Sequence, residues 1–170
     1  RTGEVIGATW AEIDLGAALW TVPASRMKAG REHRVPLSEP ALAVLGEVAK
    51  LRTTTAPSAP VFPGAIAGKG LSNMAMLTLL RRMERGDLTA HGFRSTFRDW
   101  AAETTAYPSE VVEMALAHAV GDKVEAAYRR GDLFEKRRRL MDEWGTFSTT
   151  STAPSGANVV PMALGRSVAR

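Results

Sequence analysis

Residues 91–100 combine an imidazole and two guanidinium groups at helical spacing. The segment reads HGFRSTFRDW, and on a helical wheel His91, Arg94 and Arg98 fall within roughly 60° of one another. The apolar side chains fall on the opposite side, namely Phe93, Phe97 and Trp100. This pattern predicts a helix with one packed face and one cationic face suited to an anion such as phosphate. A charged face in contact with solvent is the commoner explanation for isolated arginines on an amphipathic helix.

A later segment, LAHAVGDKVEAAYRRGDL, places a phenol beside concentrated positive charge. His118 ends a predicted helix, and Tyr128 follows ten residues later, directly before Arg129 and Arg130. Guanidinium groups favour the phenolate form of tyrosine, which is the form that attacks as a nucleophile. The commoner explanation for a single tyrosine is a half-buried ring with a polar hydroxyl. Tyr107 has only Ala and Pro beside it, and nothing near it in the sequence indicates chemistry.

The residue types do not form a recognisable metal or cofactor motif. The three histidines, His33, His91 and His118, are too far apart for a His-x-His or His-Glu-x-x-His site, and the chain has no cysteine. No Asp cluster of the kind that holds Mg²⁺ is present. The sequence also has neither Gly-x-x-x-x-Gly-Lys-Ser/Thr nor Gly-x-Gly-x-x-Gly. We therefore predict no metal and no other cofactor.

Composition indicates one compact domain. The chain has 170 residues, of which 45% are hydrophobic and 24% charged, and it has no run of 18 apolar residues that could span a membrane. Its 22 basic residues include 17 arginines and are offset by 18 acidic ones. The net charge of +4 is mild for a nucleic-acid binder, so a basic face depends on clustering. The abrupt start at Arg1 leads us to expect a piece of a longer polypeptide.

The elements that must position these groups form a mixed fold. A short helix is predicted at 4–10, and strand composition follows at 12–15, 18–23 and 33–37. Helical patterns cover the rest, at 38–52, 73–83, 91–103, 108–118, 124–129 and 133–144. The sequence therefore predicts an α+β fold, mostly helical, with a small three-stranded antiparallel sheet near the N-terminus. Between the second and third strands, residues 24–32 form a basic hairpin loop.

Taken together, five segments resemble the catalytic domain of the tyrosine recombinases, and most closely the phage-type integrases. RTGEVIGATWAEID resembles the segment with the first catalytic arginine, here Arg1, followed by the supporting acid Glu4. SRMKAGREHRVPLS resembles the hairpin that bears the catalytic lysine, here Lys28. VFP, at 61–63, also recurs in the family.

Two further segments carry the rest of the family's catalytic residues. HGFRSTFRDWAAE matches the His-x-x-Arg box, which places those roles on His91 and Arg94. LAHAVGDKVEAAYRR matches the last box, with His118 as the second histidine and Tyr128 as the nucleophile. All five segments occur in the family's order between residue 1 and about residue 145. The resemblance implies a catalytic domain at 1–145 and a flexible tail at 146–170.

The resemblance implies site-specific cleavage and rejoining of double-stranded DNA through a 3′-phosphotyrosyl intermediate, without a cofactor. It further implies attachment-site DNA as partner, a tetramer on DNA in the full-length protein, no membrane, and a cytoplasmic, nucleoid-associated location in a bacterium or a phage-infected cell. Candidate contacts to DNA phosphates are Arg26, Arg31, Arg98, Arg129 and Arg130. The alternatives are a non-catalytic DNA-binding module on the same scaffold and a type IB topoisomerase-like enzyme.

The last predicted helix carries an apolar arc that must be buried. Leu133, Leu140 and Trp144 lie on one side, with Phe134 and Met141 beside them. We favour packing against the chain's own core. The alternative, suggested by the family's exchange of C-terminal segments, is that this helix or the tail docks on a neighbouring protomer.

Overall fold

The computed structural model describes residues 1–118 and 131–150. Within these ranges six α-helices and one three-stranded sheet form a mostly helical α+β fold, which confirms the predicted fold class. None of the helices in this part of the chain is long and apolar enough to cross a membrane. The helix predicted at 124–129 and the tail from residue 151 lie outside the described residues, as do Tyr128, Arg129 and Arg130.

The sheet contains β1 (Ile13–Asp14), β2 (Leu19–Val22) and β3 (His33–Pro36), in that order. Both neighbouring pairs are antiparallel, and β2 pairs with β3 from Leu19 opposite Pro36 to Val22 opposite His33. The connection between β1 and β2 is short, and the Ala17 N–H donates to the Asp14 side chain at 2.8 Å. Each strand lies inside its predicted range, so the sequence located all three.

The described residues also form six helices, α1 (Thr2–Ile6), α2 (Glu39–Ala49), α3 (Ala75–Arg82), α4 (Gly92–Thr104), α5 (Ser109–Ala115) and α6 (Phe134–Thr149). The start of α2 follows its sequence signals, with Ser38 at the N-cap and Pro40 in the first turn. The starts of α4 and α5 also lie within one residue of the prediction. Local signals therefore determine most of the helix starts.

The first helix is the main error in the predicted elements, because α1 ends at Ile6 and not at residue 10. The next residues pair instead with a distant loop: the Val61 N–H donates to the Ala8 carbonyl at 2.8 Å, and the Trp10 N–H donates to the Ala59 carbonyl at 3.1 Å. These extended contacts bury Ala8 and Trp10 in a core with Val61. Tertiary pairing overrides the local helical pattern here.

Two hydrophobic clusters hold the molecule together. One lies under the sheet and α2, and its buried members include Leu37, Leu45 and Val61. The other joins α4, α5 and α6, and contains Phe97, Trp100, Ala101, Val111, Val112, Leu116 and Leu140. Since α4 and α5 carry the candidate site, this second cluster fixes the two elements relative to each other.

The apolar arc of α6 packs within the chain, as favoured from the sequence. Leu140 is completely buried, and the Trp144 ring meets the Phe97 ring edge to face with 5.3 Å between centroids. The helix also continues to Thr149, although the sequence predicted its end at residue 144 and a tail from 146. Phe147 explains the extension, because its ring stacks on Trp100 at 5.5 Å.

A buried arginine joins α6 to the sheet. Arg137 is 1% exposed, and its Nη1 donates to the Arg34 carbonyl of β3 at 2.6 Å. Its Nε donates to the Asp132 carbonyl and its Nη2 to the Asp132 Oδ2, both at 2.7 Å. Asp132 follows Tyr128 by four residues. The three hydrogen bonds therefore anchor the chain just after the predicted nucleophile.

We expect Arg137→Ala to lower the free energy of unfolding by about 3 kcal/mol, because three charge-assisted hydrogen bonds are lost and two carbonyls lose their donor. Arg137→Lys keeps the charge, but a single ammonium nitrogen cannot reach the three acceptor atoms that Nε, Nη1 and Nη2 of the guanidinium reach, so most of the loss should remain. Urea unfolding measures both. Arg138→Ala is the matched control and should change stability by less than about 1 kcal/mol, because its ion pair is long, at 3.8 Å, and the partner Glu135 is exposed. Equal effects at the two positions would contradict the assignment.

Candidate active site

Arg94 lies in the first turn of α4, partly buried between α1 and the end of α5. Its Nη2 donates to the carbonyl of Leu116, the residue that follows α5. Burial lowers the pKa of Arg94, and the nearby Arg1 charge lowers it further, while Glu4 and Glu113 act in the opposite direction. Arg94 and Arg1 repel each other, and both would attract an anion placed near them. This position therefore favours phosphate binding.

Arg1, His91 and Arg94 line one open pocket of about 500 Å³. Its other wall is apolar and includes Val5 and Leu80. Phe93 was predicted on the packed side of α4, but it is 55% exposed and lines this pocket. The prediction was wrong for Phe93 because, of these three aromatic residues, only Phe97 and Trp100 face the core shared with α5 and α6.

Glu4 holds Arg1 at the edge of this pocket. The Arg1 Nη1 donates to Glu4 Oε1 at 2.9 Å. Burial raises the pKa of the Glu4 carboxyl, whereas the hydrogen bond from the Arg1 side chain and the Arg1 charge lower it. The Glu4 carboxylate therefore holds the Arg1 guanidinium, and its supporting role in the reaction stays a prediction.

The hairpin loop separates two kinds of basic residue. Arg26 forms an ion pair with Glu12, and its Nη2 donates to the Glu4 carbonyl at 2.5 Å. These bonds tie the loop to α1 and use the guanidinium inside the fold, so they argue against Arg26 as a phosphate ligand. Lys28 and Arg31 are exposed in the turn that precedes β3, where Gly30 adopts a positive φ of 62°.

His118 follows α5 and contacts a carboxylate that the sequence analysis did not single out. Its Nδ1 donates to Glu113 Oε2 at 2.5 Å, and Arg98 Nε donates to Glu113 Oε1 at 2.7 Å. The hydrogen bonds from Arg98 and then His118 lower the pKa of Glu113. Arg98 was predicted to bind DNA phosphate, whereas here its guanidinium meets a carboxylate.

His33 and Arg137 are further titratable groups that the sequence analysis did not identify as parts of this region. Burial lowers the pKa of His33, and the nearby Arg137 charge lowers it further, while a hydrogen bond to the backbone of Ala115 raises it. His33 begins β3, so this contact brings the sheet to the end of α5. Arg137 is buried, but nothing in the sequence around it marks it as such, and a helical wheel does not reveal its partners.

Of the two tyrosines, Tyr107 lies within the described residues and Tyr128 does not. The Tyr107 hydroxyl donates to Glu143 Oε1 at 2.7 Å, and burial together with this carboxylate raises the pKa of Tyr107 to about 12. Tyr128, with Arg129 and Arg130, lies outside the described residues. Within the described ranges, no group of three or more His, Asp or Glu side chains is placed to hold a metal ion.

Comparison with known proteins gives consistent matches along the chain. The sequence model of the phage integrase family matches residues 1–133. Prophage integrase IntA of Escherichia coli K12 is 35% identical over 162 residues, covering 94% of this chain and 38% of the relative. Prophage integrase IntZ of the same strain is 34% identical, covering 95% of this chain and 39% of the relative.

A phage protein gives a similar result. The integrase of Enterobacteria phage P4 is 31% identical over 160 residues, covering 85% of this chain and 36% of the relative. The chain thus spans a little over a third of the length of these relatives. No solved structure matches the chain.

Proposed function

The chain belongs to the phage integrase family of tyrosine recombinases, and on that basis we propose that it cuts and rejoins double-stranded DNA at specific sites through a 3′-phosphotyrosyl bond to Tyr128. One observation carries the proposal. Arg1, His91 and Arg94 share one pocket, and Arg94 is bonded to the turn that leads to His118. Four of the residues assigned by resemblance are thereby linked through α1, α4 and α5.

In the first step, the Tyr128 oxygen attacks the phosphorus of the scissile phosphate. A bond forms between the two, the bond to the 5′-oxygen breaks, and the leaving oxygen takes a proton from Lys28. Lys28 suits this role because it lies on an exposed turn that DNA can approach. The phosphotyrosine keeps the energy of the phosphodiester, so the 5′-hydroxyl of a second strand can later attack it and release the tyrosine.

The transition state carries extra negative charge on the phosphate oxygens. Arg1 and Arg94 supply fixed positive charge at the pocket, as preorganised donors do in other phosphoryl-transfer sites. Their mutual repulsion in the free protein is relieved when the phosphate enters between them. His91 and His118 would orient the phosphate oxygens and accept or return the Tyr128 proton, a task for which imidazole is suited near neutral pH.

The partners follow from this reaction. We propose attachment-site duplexes as the substrate and a tetramer on DNA as the active assembly, in the cytoplasm of the host cell. The tail from residue 151 remains a candidate for contact between protomers. The substrate, the assembly and the location are proposed for the whole protein. The chain corresponds to a little over a third of the length of its relatives.

The decisive experiment traps the covalent intermediate. The longest natural polypeptide that carries this sequence is incubated with nicked duplexes tiled across the DNA that flanks its gene, so that the short cleaved strand diffuses away. We expect a protein–DNA adduct whose peptide, after proteolysis, contains Tyr128 modified by a 3′-phosphate. Binding with no adduct would favour the non-catalytic module. Adduct formation with relaxation of a plasmid, but without exchange between two labelled duplexes, would favour a topoisomerase.

Binding of duplex DNA should fall steeply with salt, because the contacts are mainly to phosphate. The slope of log K against log salt is expected to be about −0.9 for each phosphate neutralised. Arg31→Ala should make that slope shallower by about one, since Arg31 is exposed beside Lys28. Arg85→Ala is the matched control, because Arg85 already pairs with Asp87 at 2.9 Å. Fluorescence anisotropy measures both, and a salt-independent affinity would contradict the proposed interface.

A further inference from the structure

Glu113 stands between two groups of the candidate site, with each carboxylate oxygen bonded to a different partner. Oε2 accepts from His118 Nδ1 at 2.5 Å, and Oε1 accepts from Arg98 Nε at 2.7 Å. The Glu113 side chain is 23% exposed, whereas Arg98 is 60% exposed. The carboxylate is therefore a partly buried link between an exposed arginine of α4 and the histidine after α5.

The backbone brings this contact about. Ala117 adopts a left-handed conformation with φ of 52°, and the His118 N–H donates to the Glu113 carbonyl at 2.9 Å. This pattern is a helix C-cap in which the third residue after the helix folds back over its last turn. The same turn presents the Leu116 carbonyl to Arg94. One C-cap thus positions both Arg94 and His118.

The hydrogen bond between Glu113 and His118 determines which nitrogen of the His118 ring carries the proton. The hydrogen bonds from Arg98 and His118 lower the pKa of Glu113, so its carboxylate is ionised at neutral pH and only accepts hydrogen bonds. Nδ1 of His118 must then carry the proton. The remaining nitrogen, Nε2, is left to meet a ligand, either as an acceptor in the neutral ring or as a donor in the imidazolium.

We propose that Glu113 is a positioning residue for the cleavage reaction, which fixes the tautomer and orientation of His118 so that Nε2 faces the scissile phosphate, with Arg98 holding the second carboxylate oxygen. This inference rests on the proposed function. It assigns Arg98 to the support of Glu113 and not to DNA phosphate. The role resembles that of carboxylates that orient histidines in other enzymes, where the carboxylate does not itself react.

Glu113→Gln is the test, because glutamine has the same shape but no charge and can also offer its amide N–H₂ to the ring. In the DNA-free protein, the ¹⁵N shifts of the His118 ring should change from those of the Nδ1-protonated tautomer to those of a mixture. Adduct formation on the nicked duplex should slow by roughly 10- to 100-fold, the range seen when a group that orients a metal-bound histidine is replaced. Glu103→Gln, an exposed carboxylate at the end of α4, is the matched control and should change neither.

The outcomes separate this inference from the proposed function. A Glu113→Gln protein with unchanged ring shifts, or with altered shifts and wild-type cleavage, overturns the positioning role while Tyr128 still forms its adduct. If the parent protein forms no adduct, the proposed function fails, and the ring shifts still report on the tautomer. If Glu113→Gln does not fold, Arg98→Ala replaces it, with a partial change in the shifts and about twofold to fivefold slower cleavage. If Arg98→Ala changes neither the ring shifts nor the cleavage rate, the inference is overturned.

Discussion

Replacing Tyr128 by Phe is expected to abolish the protein–DNA adduct, while Tyr107→Phe leaves it in place. The substitution removes one oxygen, and phenylalanine has no atom that could attack phosphorus. The ring is retained, so DNA binding should be unchanged in anisotropy measurements at the same salt concentration. Denaturing gels of the trapping reaction on the nicked duplex give the direct measurement, with the parent protein as reference.

Tyr107 is the natural control because its environment opposes phenolate formation. Its hydroxyl is held by Glu143, and the pKa of Tyr107 rises to about 12, so the phenol stays protonated at neutral pH. Tyr107→Phe loses this hydrogen bond between the start of α5 and α6, at a cost of about 1 kcal/mol in the free energy of unfolding. An adduct that persists in Tyr128→Phe, or disappears in Tyr107→Phe protein that remains folded, would assign the nucleophile elsewhere.

Local sequence signals were sufficient for most of the fold. Ser38 and Pro40 mark the start of α2, and residues of strand composition mark the three strands. The exceptions depend on contacts distant in sequence. The end of α1 is determined by the pairing of Ala8 with Val61, and the last turn of α6 is held by Phe147 on Trp100. A periodicity read along one segment contains no information about either partner.

In the candidate site too, some residues were identified from the sequence and others only from the structure. His91 and Arg94 were singled out by their spacing and assigned their roles by resemblance, and both line one pocket at the start of α4. Glu113 was missed because its contact with His118 requires the left-handed turn at Ala117, a conformation that alanine rarely adopts. Arg26 was assigned to DNA from its charge alone, whereas its partner Glu12 lies across the sheet. Charge identifies a candidate, and only the fold identifies its partner.

Replacing Arg94 by Ala is expected to slow adduct formation by about 10²- to 10³-fold, the usual effect of removing one preorganised donor from a site that stabilises charge. Arg94→Lys should recover little of this. A lysine keeps the positive charge, but it cannot donate to the Leu116 carbonyl and to a phosphate with the fixed geometry of a guanidinium. Single-turnover rates of adduct formation compare the two variants, with Arg85→Ala as a control for lost positive charge.

The stability of the same variants distinguishes a functional arginine from a structural one. Burial and the charge of Arg1 both lower the pKa of Arg94, which means that the folded protein holds this cation in an unfavourable environment. Removing it relieves that repulsion while the Leu116 carbonyl loses a donor, so Arg94→Ala should change the free energy of unfolding by no more than about 1 kcal/mol. A loss of several kcal/mol with cleavage within threefold of the parent would make Arg94 a structural residue. A large loss of rate in a protein of nearly unchanged stability is expected instead, because the unfavourable charge is compensated only when a phosphate binds.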